Sequence, residues 1–101
     1  MDIRSLDLNL LVTLEALLTE QSVSRAARRL HRSQPAISAA LARLRAQLGE
    51  PLLVRRGSAM VATPYGQSLR DPVRHILREI ERTLARPAPF DPLDSKRTFR
   101  I

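Results

Sequence analysis

The chain has 101 residues, enough for one small core and a helical extension but not for a layered, pocketed enzyme. Seventeen Lys and Arg against ten Asp and Glu leave +7 at pH 7, with a sequence pI near 11.5, so polyanions are the first partners to test. A 44% hydrophobic content argues against wholesale disorder, and the absence of cysteine excludes a disulfide framework, a thiolate zinc site and a cysteine nucleophile.

The first leucines, Leu8, Leu10, Leu11, Leu14, Leu17 and Leu18, recur at three and four residues. This predicts an amphipathic helix from Asp7 to about Glu20 with Asp7 near its N-cap. Asp2 and Asp7 give the wrong charge order for a signal peptide, and no apolar run approaches the ~18 residues of a membrane span. The expectation is a soluble, cytoplasmic protein without a membrane partner. Ser22 is the next N-cap, before a short helix Val23 to Leu30 whose Ala26 and Ala27 permit a close helix crossing. His31 and Arg32 form a turn; Ser33 caps a third helix that tolerates Pro35 in its first turn and stops at Gly49.

On that third helix Ile37, Leu41, Leu44 and Leu48 form one apolar stripe, while Pro35, Ser38, Ala39, Ala42, Arg43 and Ala46 occupy the opposite half. Lys, Glu and Gln usually cover a merely solvated face. Short side chains with a few donors suit entry into a groove about 12 Å wide, although alanine serves a second packed face equally well. Beyond Pro51, the β-capable runs Leu52 to Arg56 and Met60 to Thr63 flank Gly57-Ser58 and predict a two-stranded wing. Thr63 and Pro64 then open a long helix to about Arg86, where Pro72 predicts a kink or short break. Its stripe of Leu69, Val73, Ile76, Ile80 and Leu84 has near-heptad spacing and calls for a partner. Arg70, Arg74, Arg78, Arg82 and Arg86 read as a solvated face of the same helix. Three prolines between Pro87 and Pro92 mark a linker, and Thr98 to Ile101 is strand-like with nothing to pair with.

Charge is concentrated rather than spread. Ser22 to Arg56 holds eight arginines and one acid, Glu50, for a local balance of +7. Such a segment is an electrostatic footprint. The only histidines, His31 and His75, lack a surrounding constellation of carboxylate, serine or metal ligands, so no enzyme is expected. Single-strand RNA readers stack bases on aromatics, yet Tyr65, Phe90 and Phe99 all lie outside the basic segment. Duplex DNA fits better, with a charge-driven binder lacking sequence preference as the remaining alternative.

A short helix, a three-residue turn and a capped helix make helix-turn-helix spacing. With Ala26-Ala27, Leu30, Ser33-Gln34-Pro35-Ala36, Ser38, Leu44, Leu48-Gly49, Leu52, Arg55 and Thr63-Pro64 with Gly66, the chain closely resembles the N-terminal DNA-binding domain and linker helix of LysR-type transcriptional regulators. Arg45 and the segment Phe90 to Ile101 look more like the branch of nodulation and aromatic-catabolism regulators. Arg32, Ala39, Ala40 and Pro72 depart from the usual family pattern.

The resemblance implies a mainly α winged helix-turn-helix with three helices, a two-stranded wing and a long dimerisation helix. It would comprise a DNA-binding domain over 1–63 (helix-turn-helix about 23–42, wing about 51–63), a linker helix over 64–86, and a hinge over 87–101 that begins an effector-binding domain. The recognition helix would lie in the major groove, with Gln34 and Ser38 at base edges, Pro35 and Ala39 in apolar contact, and Arg43 at a phosphate. Ser22, Arg32 and Ser33 would add backbone contacts. Arg55 and Arg56 on the wing would probe the minor groove, unless one pairs with Glu50. Leu69, Val73, Ile76, Leu77, Ile80 and Leu84 would bury a homodimer seam on an inverted-repeat operator. The resemblance further implies no cofactor in this part, a small-molecule inducer bound by the C-terminal domain, and a complete protein able to form tetramers.

Overall fold

The computed structural model describes residues 2–85. The hinge and strand expected over 87–101 lie outside the described residues. A 3-10 turn at Ile3–Ser5 precedes α1 (Leu8–Glu20), α2 (Val23–Leu30), α3 (Gln34–Leu48), β1 (Leu53–Arg56), β2 (Ala59–Ala62) and α4 (Pro64–Leu84). Only the opening 3-10 turn had no counterpart in the sequence reading.

Each helix start is fixed by a side-chain oxygen replacing a missing backbone acceptor. Asp7 accepts from the Asn9 N–H at 2.8 Å, Ser22 from Arg25 at 3.1 Å, Ser33 from Ala36 at 3.2 Å and Thr63 from Gly66 at 3.0 Å. Three C-terminal ends turn through left-handed residues: Gln21, His31 and Gly49, with φ of 50°, 55° and 66°. The His31 turn closes with the Arg32 N–H donating to the Ala27 carbonyl at 2.9 Å.

α1 is the central helix, packed against α2, α3 and α4. Leu14, Ala16, Leu17, Ala26, Ile37 and Leu44 are essentially sealed from solvent, and each buried leucine or isoleucine contributes about 1.5–3 kcal/mol. Ala26 and Ala27 supply the expected close approach on α2. The wing is an antiparallel pair in register Leu53↔Ala62 through Arg56↔Ala59. Gly57 takes φ 59° at the first turn position, where a two-residue hairpin of the primed type requires it. Leu52, expected in the first strand, instead adopts φ 68° with its side chain fully buried, so the strand starts one residue later. Its carbonyl accepts from the Thr63 N–H at 2.9 Å and the Thr63 hydroxyl at 3.3 Å, which locks the base of the wing.

Of the kink or short break expected at Pro72 in α4, the break is corrected. The helix runs without a break through Pro72. Pro72 leaves the Ser68 carbonyl without its helical donor, but the proline is exposed, where water can satisfy the freed acceptor. The apolar stripe, read as one continuous seam, is divided. Val73 is buried in the protomer's own core, with Leu69 and Leu77 packed against it, whereas Ile76 is 45% and Leu84 77% exposed. The stripe is wider than one line, and α1 already covers its inner side.

Candidate nucleic-acid interface

α3 has two faces of opposite character. Ile37, Ala40, Leu41 and Leu44 are buried, while Gln34, Pro35, Ser38, Ala39, Ala42, Arg43 and Ala46 are exposed. The outward face is therefore a ridge of short side chains with the Gln34 amide and the Ser38 hydroxyl as its uncharged donors and acceptors. At its N-terminal end Ser33 is occupied with the Ala36 N–H; at the start of α2, Ser22 caps Arg25 and shares a 3.1 Å hydrogen bond with Ser24. Both serines are thus anchors of helix ends.

Arg32 and Arg43 come together. They line one shallow hollow of about 220 Å³ with Asp7, Asn9, Leu10, Ala36, Ala39 and Ala40, beside the start of α1. Asp7 and Asn9 are neighbours that no local signal revealed, because they lie more than twenty residues earlier in the chain. Arg55 and Arg56 are exposed on β1 of the wing, a separate element from the α3 ridge. The ion pairs among the described residues do not include Glu50, so neither wing arginine turns back to it.

The basic segment carries less unpaired charge than its arginine count suggests. Arg29 donates to Glu15 Oε1 at 2.8 Å and lies 3.6 Å from Glu20, and Arg45 donates to the carbonyls of Pro51 and Leu53 at 2.9 and 2.6 Å. Both therefore serve the scaffold. Arg25, Arg28, Arg32, Arg43, Arg55 and Arg56 are exposed and make no ion pair among the described residues. Arg74, expected on a solvated face, also turns inward: its Nε and Nη2 donate to Glu15 Oε2 at 3.2 and 3.0 Å, and Nη2 reaches the Thr19 hydroxyl at 2.8 Å. Burial alone would raise the Glu15 pKa. The Thr19 hydroxyl and the Arg74 and Arg29 guanidiniums outweigh it and hold the carboxyl below its ordinary value.

Along the outer side of α4, His75, Ile76, Glu79, Ile80, Thr83 and Leu84 border an open, apolar trough of about 360 Å³. His31 at the turn and His75 on this helix are both exposed. Among the described residues no cluster of His, Asp and Glu could hold a metal ion, and no helix is long and apolar enough to cross a membrane.

A capped helix pair joined by a tight turn, with a two-stranded hairpin after the second helix, defines a winged helix-turn-helix. Residues 8–67 match the bacterial regulatory helix-turn-helix protein, lysR family, and the chain belongs to that family. It is 48% identical over its whole length to Nodulation protein D 1 of Bradyrhizobium sp. (strain NC92), covering 32% of that protein. Against Nodulation protein D 1 of Rhizobium meliloti (strain 1021) identity is 46%, with 33% of the relative covered. The chain thus spans about a third of the length of these relatives. The fold is similar to that of a probable transcriptional regulator from Pseudomonas aeruginosa (TM-score 0.77, 38% identity, 88% of this chain and 31% of that one). It is also similar to the CbnR DNA-binding domain solved in complex with DNA (TM-score 0.72, 31% identity, 77% of this chain and 90% of that one).

Proposed function

We propose that this chain is the operator-reading head of a LysR-type transcription regulator that binds duplex DNA as a homodimer. The observation that carries the reading is the exposed ridge of α3, where short side chains, one amide and one hydroxyl are backed by a fully packed opposite face. Such a helix enters a major groove without steric hindrance, and Gln34 supplies the amide that pairs bidentately with adenine. Ser38 reads a neighbouring edge; Pro35 and Ala39 meet thymine methyl groups. Arg32 and Arg43, which share a hollow beside the ridge, take backbone phosphates, as do the helix ends at Ser22 and Ser33. Arg55 and Arg56 enter the adjacent minor groove from the wing, favouring narrow A·T-rich steps. The likeness to a DNA-binding domain in complex with DNA supports this docking.

Dimerisation falls to the outer half of the α4 stripe, Ile76, Ile80 and Leu84, while Leu69, Val73 and Leu77 seat the helix on its own head. In this reading residues 1–63 form the DNA-binding domain, 64–86 the linker helix and 87–101 the hinge to an effector domain that binds a small-molecule inducer. The head needs no cofactor and catalyses nothing. Its working place is the bacterial cytoplasm, and the complete regulator assembles further into tetramers.

Selection of this chain against a random duplex pool at near-physiological salt tests the reading without a known operator. An enriched inverted repeat with arms about one helical turn apart is the expected result. Salt-sensitive retention without an enriched motif would replace the proposal with a non-specific binder.

A further inference from the structure

Glu15 is the one carboxylate buried in the head, with its side chain only 9% exposed, and its two oxygens are divided between different helices. Oε1 accepts from Arg29 of α2, and Oε2 accepts twice from Arg74 of α4. The Thr19 hydroxyl donates to Oε2 at 2.8 Å from one turn further along α1. Beside this cluster a hollow of about 420 Å³ opens between α1 and α4, with Glu15, Arg29, Arg74, Leu8, Val12 and Leu77 in its wall. At that level the two helices are spanned by the guanidinium arm rather than by continuous apolar packing. Leu69, Val73 and Leu77 hold α4 to the head by apolar contacts, which have no directional preference of their own. The Arg74 guanidinium, with two N–H bonds to Oε2 and a third to the Thr19 hydroxyl, adds a charge-assisted, directional tie that opposes a change of angle between α1 and α4.

We infer that Glu15 is a positioning residue that fixes the angle between the helix-turn-helix head and the dimerisation helix, and thereby the spacing of the two operator arms. The inference rests on the dimeric reading proposed above. From Arg74 to Leu84 the helix extends about 15 Å at 1.5 Å per residue. A tilt of α4 by about 10° at the Glu15 clasp moves a head by about 3 Å relative to the seam over a lever of that length. Two-fold symmetry doubles the displacement to about 5 Å, or one to two base pairs at 3.4 Å each. Base reading by Gln34 and Ser38 is local to α3 and would be untouched.

The test is selection of the 101-residue chain from a random duplex pool, run in parallel for the wild type, Glu15→Gln and Arg74→Lys, with thermal unfolding of each protein. Glu15→Gln keeps the shape and an acceptor for one arginine; Arg74→Lys keeps the charge and the stem but loses the fork. The expected result is the same half-site bases in all three pools, with arm spacing shifted or broadened by about one to two base pairs in the variants. A merely structural role would lower the unfolding midpoint and leave the spacing sharp. Folded variants that enrich paired arms at the wild-type spacing would overturn the inference and leave the dimeric reading standing. A wild-type pool enriched in single arms would remove both. If Glu15→Gln does not fold, Arg74→Lys, altered at a one-third exposed side chain, decides alone.

Discussion

Gly66 offers a substitution for which local propensity and tertiary structure give opposite signs. It lies in the first turn of α4, and in a helix alanine is favoured over glycine by up to about 1 kcal/mol. Gly66→Ala would therefore stabilise an isolated peptide. In the folded head, however, an added Cβ would be driven into the carbonyl of Leu52, with the Leu18 side chain at 3.4 Å on another side. That carbonyl cannot retreat freely, because it accepts both the N–H and the hydroxyl of Thr63, and Leu52 is buried at φ 68°. Overpacking costs about 1–3 kcal/mol, and a weakened hydrogen bond about 1 kcal/mol more. After the propensity gain, a net loss of about 1–3 kcal/mol remains. At about 4–8 °C per kcal/mol for a domain of this size, the thermal midpoint should fall by at least about 4 °C, with a matching drop in urea midpoint. An unchanged or raised midpoint would show that the base of the wing yields and that the close approach of α4 to Leu52 is not a constraint.

Gln34→Ala should weaken binding to the selected operator by about 1–3 kcal/mol while leaving binding to scrambled duplex unchanged; equal loss on both would refute base reading by this side chain. Ile76→Asp should yield a monomer by sedimentation with its unfolding midpoint retained, because the residue is half exposed in the protomer, whereas Val73→Asp should unfold the head. A dimer that survives Ile76→Asp would move the seam elsewhere. Because the Glu15 pKa is lowered in the folded chain, its contribution to stability is complete above the ordinary glutamate value of about 4.3 and is lost as pH falls through the lower folded value. Unfolding followed against pH should show this acid-side loss diminished in Glu15→Gln; superimposable profiles would mean that the clasp carries no linkage.

What was legible in the sequence is what depends on near neighbours. Asp7, Ser22, Ser33 and Thr63 announce helix starts because a cap needs only an oxygen within three residues, and the α3 ridge follows from a 3.6-residue period. The contacts that refine the site cross long stretches of chain. Arg74 meets Glu15 from 59 positions away and Arg45 reaches Leu53 across a change of element, so neither has a periodic signature. The same reason accounts for the stripe of α4. Periodicity identified apolar positions, but α1 decides which of them are covered, and it takes Leu69, Val73 and Leu77 while leaving Ile76, Ile80 and Leu84.

The arginines sort themselves by this criterion, and the sorting bears on how the head meets DNA. A count of charge along Ser22 to Arg56 treats eight arginines alike, yet Arg29 is neutralised by Glu15 and Glu20, and Arg45 is tied to two carbonyls. Six are exposed and make no ion pair among the described residues, in three groups: Arg25 and Arg28 on α2, Arg32 and Arg43 beside the recognition ridge, and Arg55 and Arg56 on the wing. Each phosphate neutralised contributes about 0.9 to the slope of log affinity against log salt. Within this segment six arginines, rather than eight, are therefore free to contribute to the slope per head. Arg29 and Arg45 influence DNA only through the positions of α2, α4 and the wing, so their loss should change the geometry of the bound site far more than its salt dependence.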